Sequence, residues 1–480
     1  MSERPLRHVH FIAIGGTGMG SLAGLVKARG IEVTGSDRAL YPPMSTALEG
    51  WGIPVTEGFA AENVLARRPD LVVIGNAVRP DNPEARAAIE AGLLYRSFPD
   101  ALYELAIAGK HCLTVAGTHG KTTTTSLCAY LLAATGREPS FLVGGIAEDF
   151  GTSFREGAGE HFVVEGDEYD TAFFDKTPKF LHYHPSTLIV TSVEFDHADI
   201  YRDLDHVKSV FRELVAGMPV DGTIVAATAH EGVRDVVANA PCAVVAYGLD
   251  GSAPTGAAFD RAAETITAEA AGTRFTLRGG GVDQEVRIPM FGRFNVENTL
   301  AALSACERLG VPLAESIPAL PGFRGVKRRQ EIRGVEAGVT VIDDFAHHPT
   351  AVRGAIESLR SRFPDARLIA VFEPRTNTSR RRVFQDEYLR ALAPADRVVV
   401  FRVPDEPIYS ATGEVTELFS ADDLVGGLAD AGVDAAAHDS VEAIVGALAA
   451  DRRAGDVVLV MSNGAFGNIW EKLLAALRGA

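Results

Sequence analysis

The sequence predicts an α/β protein of three domains: a Rossmann-like N-terminal unit, a central phosphate-loop unit with a parallel sheet plus a small antiparallel sheet, and a Rossmann-like C-terminal unit. Three observations carry this. An apolar run feeds the glycine-rich turn Gly15-Gly16-Thr17-Gly18-Met19-Gly20, which opens a helical stretch. A second apolar run ends in Gly117-Thr118-His119-Gly120-Lys121-Thr122-Thr123 before another helical pattern. At 480 residues the chain exceeds one core, and strand-like and helical patterns alternate almost to its end.

The first domain spans residues 1–109. Residues 8–14 read as a strand, the helix after the glycine turn runs to Arg29, and residues 31–35 form a second strand ending in Ser36-Asp37. This is a βαβ unit with an acid about 20 residues beyond the glycines, where ribose-binding acids fall. A further strand is expected at 71–74 and helices at 83–91 and 99–108.

The second domain spans residues 110–322. Strands are expected at 112–116, 162–164, 187–191 and 223–227, with helices at 126–134 and 204–216. Period-two alternation over residues 262–290, around Gly279-Gly280-Gly281, predicts an antiparallel hairpin beside the parallel sheet. Phe291 to Asn295 leads into a helix through Leu309. The third domain spans residues 323–480, with strands at 339–342, 368–372, 397–401 and 457–461. The first of these ends in Asp343-Asp344, and no glycine fingerprint opens the domain.

A net charge of −17 argues against nucleic acid and anionic membranes as partners. The four cysteines lack metal-ligand spacing and read as free thiols in a reducing compartment. Residues 1–7 are polar and do not resemble a signal peptide, so a cytoplasmic protein is expected, as a monomer or weak dimer. The triplet Lys327-Arg328-Arg329 reads either as a solvated helix end or as an anion contact.

The chemistry concentrates at strand ends. Glycines free backbone N–H groups that point at phosphate oxygens, Lys121 reaches the β/γ-phosphates, and Thr122 offers a hydroxyl to Mg²⁺. The two residues between Gly117 and Gly120, rather than four, depart from the common phosphate loop. Four carboxylates in Glu165-Gly166-Asp167-Glu168-Tyr169-Asp170 suit a divalent cation, or else form a solvated acidic loop. Val193-Glu194-Phe195-Asp196-His197 is a second such strand end, with His197 a ligand candidate. ATP and Mg²⁺ are the expected cofactors.

Taken in order, the turn at 15–20, the loop at 117–122, Glu165 to Glu168, Asp196-His197, Asn295 to Asn298 and Asp343-Asp344 with His347-His348-Pro349-Thr350 resemble the Mur ligase family, in its UDP-N-acetylmuramate branch. The resemblance covers nearly the whole chain. The segment from Glu168 to Lys176, with Pro178-Lys179-Phe180, Pro374 to Thr378 and Val460 to Gly464, is similar to the tripeptide-accepting members of that branch.

The resemblance implies an amide ligase that joins UDP-N-acetylmuramate to L-alanyl-γ-D-glutamyl-meso-diaminopimelate in peptidoglycan recycling. ATP phosphorylates the muramyl carboxylate, and the peptide amine displaces phosphate. It implies ATP contacts from Gly117, Thr118, His119, Gly120, Lys121, Thr122 and Thr123, adenine contacts from Asn295 and Asn298, a ribose contact from Asp344 and a phosphate contact from Arg329. Thr122 and Glu165 would hold one Mg²⁺ and His197 a second, so that Lys121, His197 and Arg329 form the catalytic set. The UDP-sugar would meet Gly15, Gly16, Thr17, Gly18, Met19, Gly20, Ser36, Asp37, Asn76, His119, Asp167 and Glu168. The peptide would meet Tyr169, Asp170, His348, Arg375 and Asn377.

Two positions depart from family patterns. Phe211 stands where many relatives have a carbamylated lysine, with Lys208 nearest, and Phe294 replaces the histidine before the first adenine asparagine. Three alternatives remain at this level: an L-alanine ligase of the same branch, a nicotinamide dehydrogenase using Gly18 to Asp37, and a nucleotide-binding regulator without turnover.

Overall fold

The computed structural model describes residues 6–41, 44–254, 258–403, 408–410 and 413–479. Residues 1–5 of the polar N-terminal segment lie outside the described residues. Three sheets organise the chain, one per domain, in the three-domain α/β arrangement.

The N-terminal sheet is fully parallel, in the order Val55–Glu57, Glu32–Asp37, His8–Ile12, Leu71–Ile74, Tyr95–Ser97. The first strand is shorter than expected. Ala13 takes φ +65° and turns the chain toward the Thr17–Ala28 helix, while Ile14 remains buried. The helix expected at 99–108 splits into Phe98–Leu102 and one π-helical stretch, Tyr103–Ile107. Beneath the strands lies a buried polar network. His10 Nε2 meets Glu84 Oε1 at 2.6 Å, and the same oxygen accepts from the Ser36 hydroxyl at 2.7 Å.

The central sheet has ten strands. Ser140–Ala147, His161–Glu165, His111–Ala116, Thr187–Val190, Thr223–Ala226, Ala243–Leu249 and Arg261–Glu269 run parallel. Thr152–Arg155 closes one edge antiparallel. At the other edge the expected hairpin is a three-stranded meander, Arg261–Glu269, Gly272–Gly279 and Val282–Ile288. It is not a separate sheet: Tyr247 to Leu249 pair in parallel with Arg261 to Ala263. Burial explains the continuity, because Ala263, Phe275, Leu277, Val286 and Ile288 share one apolar core with the Lys121–Ala134 and Arg293–Arg308 helices.

The C-terminal sheet orders Glu331–Glu336, Val339–Asp344, Val457–Met461, Leu368–Phe372, Arg397–Phe401 and Asp434–His438. The first pair is antiparallel and the rest parallel. Helices cover both faces and give two cores.

The first two domains share apolar core. Buried residues from Val9 to Ile107 pack in one cluster with Phe162, Val190 and Phe211 of the central domain. Trp51 meets Phe154 edge-on at 5.0 Å, and Arg29 forks onto Glu156 at 2.9 and 3.0 Å. Asp170–Ala172 and Asp175–Pro178 form a small hairpin of the central domain whose tip carries Phe173 onto the Ile12 cluster and Phe174 onto Tyr95. A cavity of about 800 Å³ lies between the central and C-terminal domains.

Candidate active site

The cavity is built on the phosphate loop. His111–Ala116 delivers the chain to Gly117 at φ +135°, where a side chain would strike Thr191 Oγ1 at 2.1 Å. Gly120 at φ +80° is the N-cap of the Lys121–Ala134 helix and has no room either, with Asn298 Oδ1 2.5 Å from its would-be Cβ. No side chain caps this helix, so its first N–H groups and the positive end of its dipole face the cavity. The neighbouring strand end pins the loop: Thr118 N donates to Ser192 O at 3.0 Å and His119 N to Ser192 Oγ at 2.9 Å.

A chain of charges crosses the floor. Lys121 Nζ lies 2.9 and 2.7 Å from the two carboxylate oxygens of Glu168, and Glu168 Oε1 also meets His197 Nε2 at 3.1 Å. Burial works against charge on Lys121, but Glu168 outweighs it and the pKa is raised. Burial likewise opposes charge on His197, yet Asp196 and Glu168 overcome it and raise the imidazole to about 9. His197 holds φ +52°, an unfavourable backbone for a non-glycine residue, and the Tyr169 ring packs against its ring at a 56° tilt, centroids 4.3 Å apart.

Beside this chain Thr122 Oγ1 donates to Glu165 Oε1 at 3.0 Å, and Glu165 Oε2 accepts Gly144 N at 2.7 Å. Burial raises the Glu165 carboxyl against the pull of Lys121. The C-terminal domain reaches in here: Arg329 Nη2 donates to Thr122 Oγ1 at 3.1 Å and its guanidinium lies 4.6 Å from the centre of the Phe345 ring. The basic triplet therefore divides its work. Arg328 is structural, bound to Asp343 Oδ2 and to the Ser462 and Gly464 carbonyls, while Arg329 faces the cavity.

At the far end Asn295 Nδ2 donates to Phe291 O at 2.7 Å and Asn298 Nδ2 to Asn295 Oδ1 at 3.1 Å. Phe294 lines the wall there, its ring 3.3 Å from the position of a Gly354 Cβ. Asp344 accepts the Gln330 and Ala346 N–H groups at 2.9 and 2.7 Å and borders the same space.

The structure thus gathers Thr118, His119, Gly120, Lys121, Thr122, Thr123, Glu165, His197, Asn295, Asn298, Arg329 and Asp344 around one cavity, with Asp167 and Tyr169 at its side. Gly117 and Glu168 stand directly behind its wall through their bonds to Lys121.

The other sequence candidates fall elsewhere. Gly15, Gly16, Thr17, Gly18, Met19, Gly20, Ser36, Asp37 and Asn76 cluster at the C-terminal edge of the N-terminal sheet, where Gly15 N donates to Asp37 Oδ2 at 2.7 Å. Three of them turn inward. The Met19 side chain is in the core, Gly20 packs on Met44, and the Ser36 hydroxyl is spent on Glu84. Asp167 is ion-paired with Lys179 at 2.6 Å and Asp170 with Lys176 at 2.7 Å. Arg375 and Asn377 are exposed on the C-terminal domain. His348 is buried at the N-cap of the Pro349–Arg362 helix, its Nε2 3.2 Å from Phe195 O. Phe211 is buried against Phe180, and Lys208 is turned away to Asp235. Glu194, Gln330 and Phe345 also line the cavity, beyond the residues the sequence points to; only Glu194, in an acidic strand end, carries a sequence signal.

Family models match three consecutive stretches of the chain: the Mur ligase family catalytic domain at residues 8–110, the Mur ligase middle domain at 115–306, and the Mur ligase glutamate ligase domain at 328–464. The chain is 38% identical to the UDP-N-acetylmuramate–L-alanyl-γ-D-glutamyl-meso-2,6-diaminoheptandioate ligase of Escherichia coli K12, over 98% of each protein. The chain belongs to the Mur ligase family. It is also 36% identical to the UDP-N-acetylmuramate–L-alanine ligase of Streptomyces avermitilis, over 98% of this chain and 97% of that protein. A murein peptide ligase structure from Psychrobacter arcticus 273-4 superposes with a TM-score of 0.72 at 33% identity, covering 99% of both chains. Tripeptide ligases stand among both the relatives and the solved structures, which favours the tripeptide over L-alanine as acceptor. Among the described residues no helix is long and apolar enough to cross a membrane.

Proposed function

We propose that this protein joins UDP-N-acetylmuramate to the tripeptide L-alanyl-γ-D-glutamyl-meso-diaminopimelate, spending ATP. The observation that carries the ligase chemistry is the convergence of Lys121, Thr122 and Glu165 with Arg329 across the domain boundary. A carboxylate is a poor electrophile at neutral pH. Transfer of the γ-phosphoryl group to the muramyl carboxylate creates a leaving group. The peptide amine then adds to the carbonyl carbon, and the tetrahedral adduct expels phosphate and loses a proton to give the amide.

Each residue has a task. Lys121 exchanges its Glu168 partner for β/γ-phosphate oxygens, with the helix N-terminus behind it. Arg329 brings a second cation from the C-terminal domain, its guanidinium held over the Phe345 ring. Asn295, Asn298 and Phe294 receive adenine, and Asp344 receives the ribose. Gly15 to Gly20 and Asp37 hold the UDP moiety through backbone N–H groups and the first-turn helix end.

The donor set at Thr122 and Glu165, a hydroxyl and a buried carboxylate, fits Mg²⁺, which would neutralise phosphate charge when bound. His197 fits less simply, because its ring is paired with Glu168 and favours the protonated form. In this reading it holds Glu168 and Lys121 in place.

The tripeptide acceptor is supported by the segment at 169–176, which forms the hairpin docked on the N-terminal domain, and by the names of the relatives just given. Incubation with ATP, UDP-N-acetylmuramate and either tripeptide or L-alanine tests it. Phosphate release with tripeptide is expected, and release with L-alanine alone would assign the acceptor to the alanine branch. Arg375→Ala is expected to raise the KM for tripeptide far more than the KM for ATP. A cytoplasmic location follows from these substrates.

A further inference from the structure

We propose that Glu297 selects adenine among the purines, its carboxylate accepting a hydrogen bond from the 6-amino group of ATP. This assignment rests on adenine lying at Asn295 and Asn298, as in the proposed function. All three residues sit in the first two turns of the Arg293–Arg308 helix and border the cavity.

Adenine carries an amino donor at its 6-position, where guanine carries a carbonyl oxygen. An acceptor at that edge therefore decides which base fits. The two asparagines have little acceptor capacity left. Asn295 Oδ1 already accepts Asn298 Nδ2 at 3.1 Å. Asn298 Oδ1 is turned to the phosphate loop, 2.5 Å from where a Gly120 side chain would begin.

Glu297 differs. Its side chain keeps 21% of its exposure, enough to be reached from the cavity. Among the described residues nothing donates to its carboxylate at hydrogen-bond distance. The one basic group within 4 Å is His230, whose Nε2 lies 3.7 Å from Oε1 and which borders the same cavity. At that range the two side chains attract without bonding, and the carboxylate lone pairs stay open. A carboxylate is an acceptor only, so it gains from a ligand N–H. The guanine oxygen would set acceptor against acceptor, and a base bare at this position would leave the carboxylate unmatched.

The other groups at this end do not separate the bases. Phe294 borders the cavity, and a ring packs on either purine. Arg362 borders it too, with its guanidinium 4.7 Å from the centre of the Phe291 ring. A guanidinium is a donor only and meets the N7 that both purines share.

The test compares kcat/KM for ATP, GTP and the triphosphate of purine riboside, which lacks the 6-amino group, with both other substrates saturating. The parent should prefer ATP to the purine riboside triphosphate by about tenfold or more, the scale of one hydrogen bond to a charged group. In Glu297→Leu that ratio should fall to near one. In Glu297→Gln, whose amide can also donate, GTP should gain about tenfold or more relative to ATP. A parent ratio near one, or parent-like ratios in both variants, would overturn the assignment. Equal losses with all three nucleotides would do so as well, since they mark a structural role. The glutamine variant keeps the shape of the side chain and decides the matter alone if the leucine variant lacks a normal thermal transition. Asn298→Ala separates Glu297 from the adenine placement, read by calorimetric titration with ATP. Weaker ATP binding there, with parent-like ratios in the Glu297 variants, removes Glu297 alone. Unchanged ATP binding there removes the placement and the assignment together.

Discussion

Lys121 spans both oxygens of Glu168, at 2.9 and 2.7 Å, so the cation proposed here to bind phosphate is held by a carboxylate of its own domain. Both groups are largely out of solvent, and each is the other's main compensation. Lys121→Met should abolish the transfer step and also strand a buried charge. A loss of turnover of roughly 10²–10³-fold or more is expected, with a stability loss of about 3–5 kcal/mol from the broken buried pair. The double variant Lys121→Met/Glu168→Gln should recover stability but no activity. Chemical denaturation and phosphate release separate the two effects.

Arg329 bonds Thr122 from the opposite domain while lying on Phe345. Arg329→Ala should lower kcat on the order of a hundredfold or more, as for loss of one transition-state donor. Arg329→Lys should recover only part, because an ammonium neither stacks nor forks. Equal loss of UDP-N-acetylmuramate binding in both variants, measured without ATP, would argue for a general structural role instead.

Gly117 and Gly120 sit at positive φ against Thr191 and Asn298. Gly117→Ala should cost about 1–3 kcal/mol of stability from backbone strain and weaken ATP more than UDP-N-acetylmuramate, read by calorimetric titration of each ligand. Gly16→Ala, which meets nothing within 4 Å, is the contrasting substitution and should leave stability and ATP binding near the parent.

His182 of the central domain bonds Asp100 of the N-terminal domain. Burial opposes charge on His182, but the Asp100 bond prevails and raises its pKa above 6.5. Its contribution is therefore complete below about pH 6.5 and is lost as pH rises through the raised value. Burial also opposes charge on Asp100, but the His182 and Ser97 bonds lower its pKa, so its contribution disappears only on acidification below the normal carboxylate range. The gap in transition temperature between the parent and His182→Gln should be widest near pH 5.5–6 and shrink toward alkaline pH. A gap independent of pH would mean that His182 acts by packing alone.

The parts of the fold legible in sequence were those with local cause. Continuous apolar runs such as Leu71–Ile74 and Val457–Met461 are strands wherever they pack, and the helix expected at 126–134 is present, beginning five residues earlier at Lys121. Strands without such cause were missed. Asp434–His438 reads Asp-Ala-Ala-Ala-His and extends only because Arg397–Phe401 offers it an open parallel edge. Ser140–Ala147 and Thr152–Arg155 owe their place partly to the Thr17–Ala28 helix, which packs upon them.

The same division holds at the site. By itself the sequence determined the phosphate loop, the acidic strand ends and the order of domains, since each depends on residues close in the chain. Tertiary structure alone decided the pairings: Lys121 with Glu168, Thr122 with Arg329 some 207 residues away, and His119 with Glu194 and His348. Such partners are chosen by sheet order and domain docking, which set distances in space that spacing along the chain does not encode.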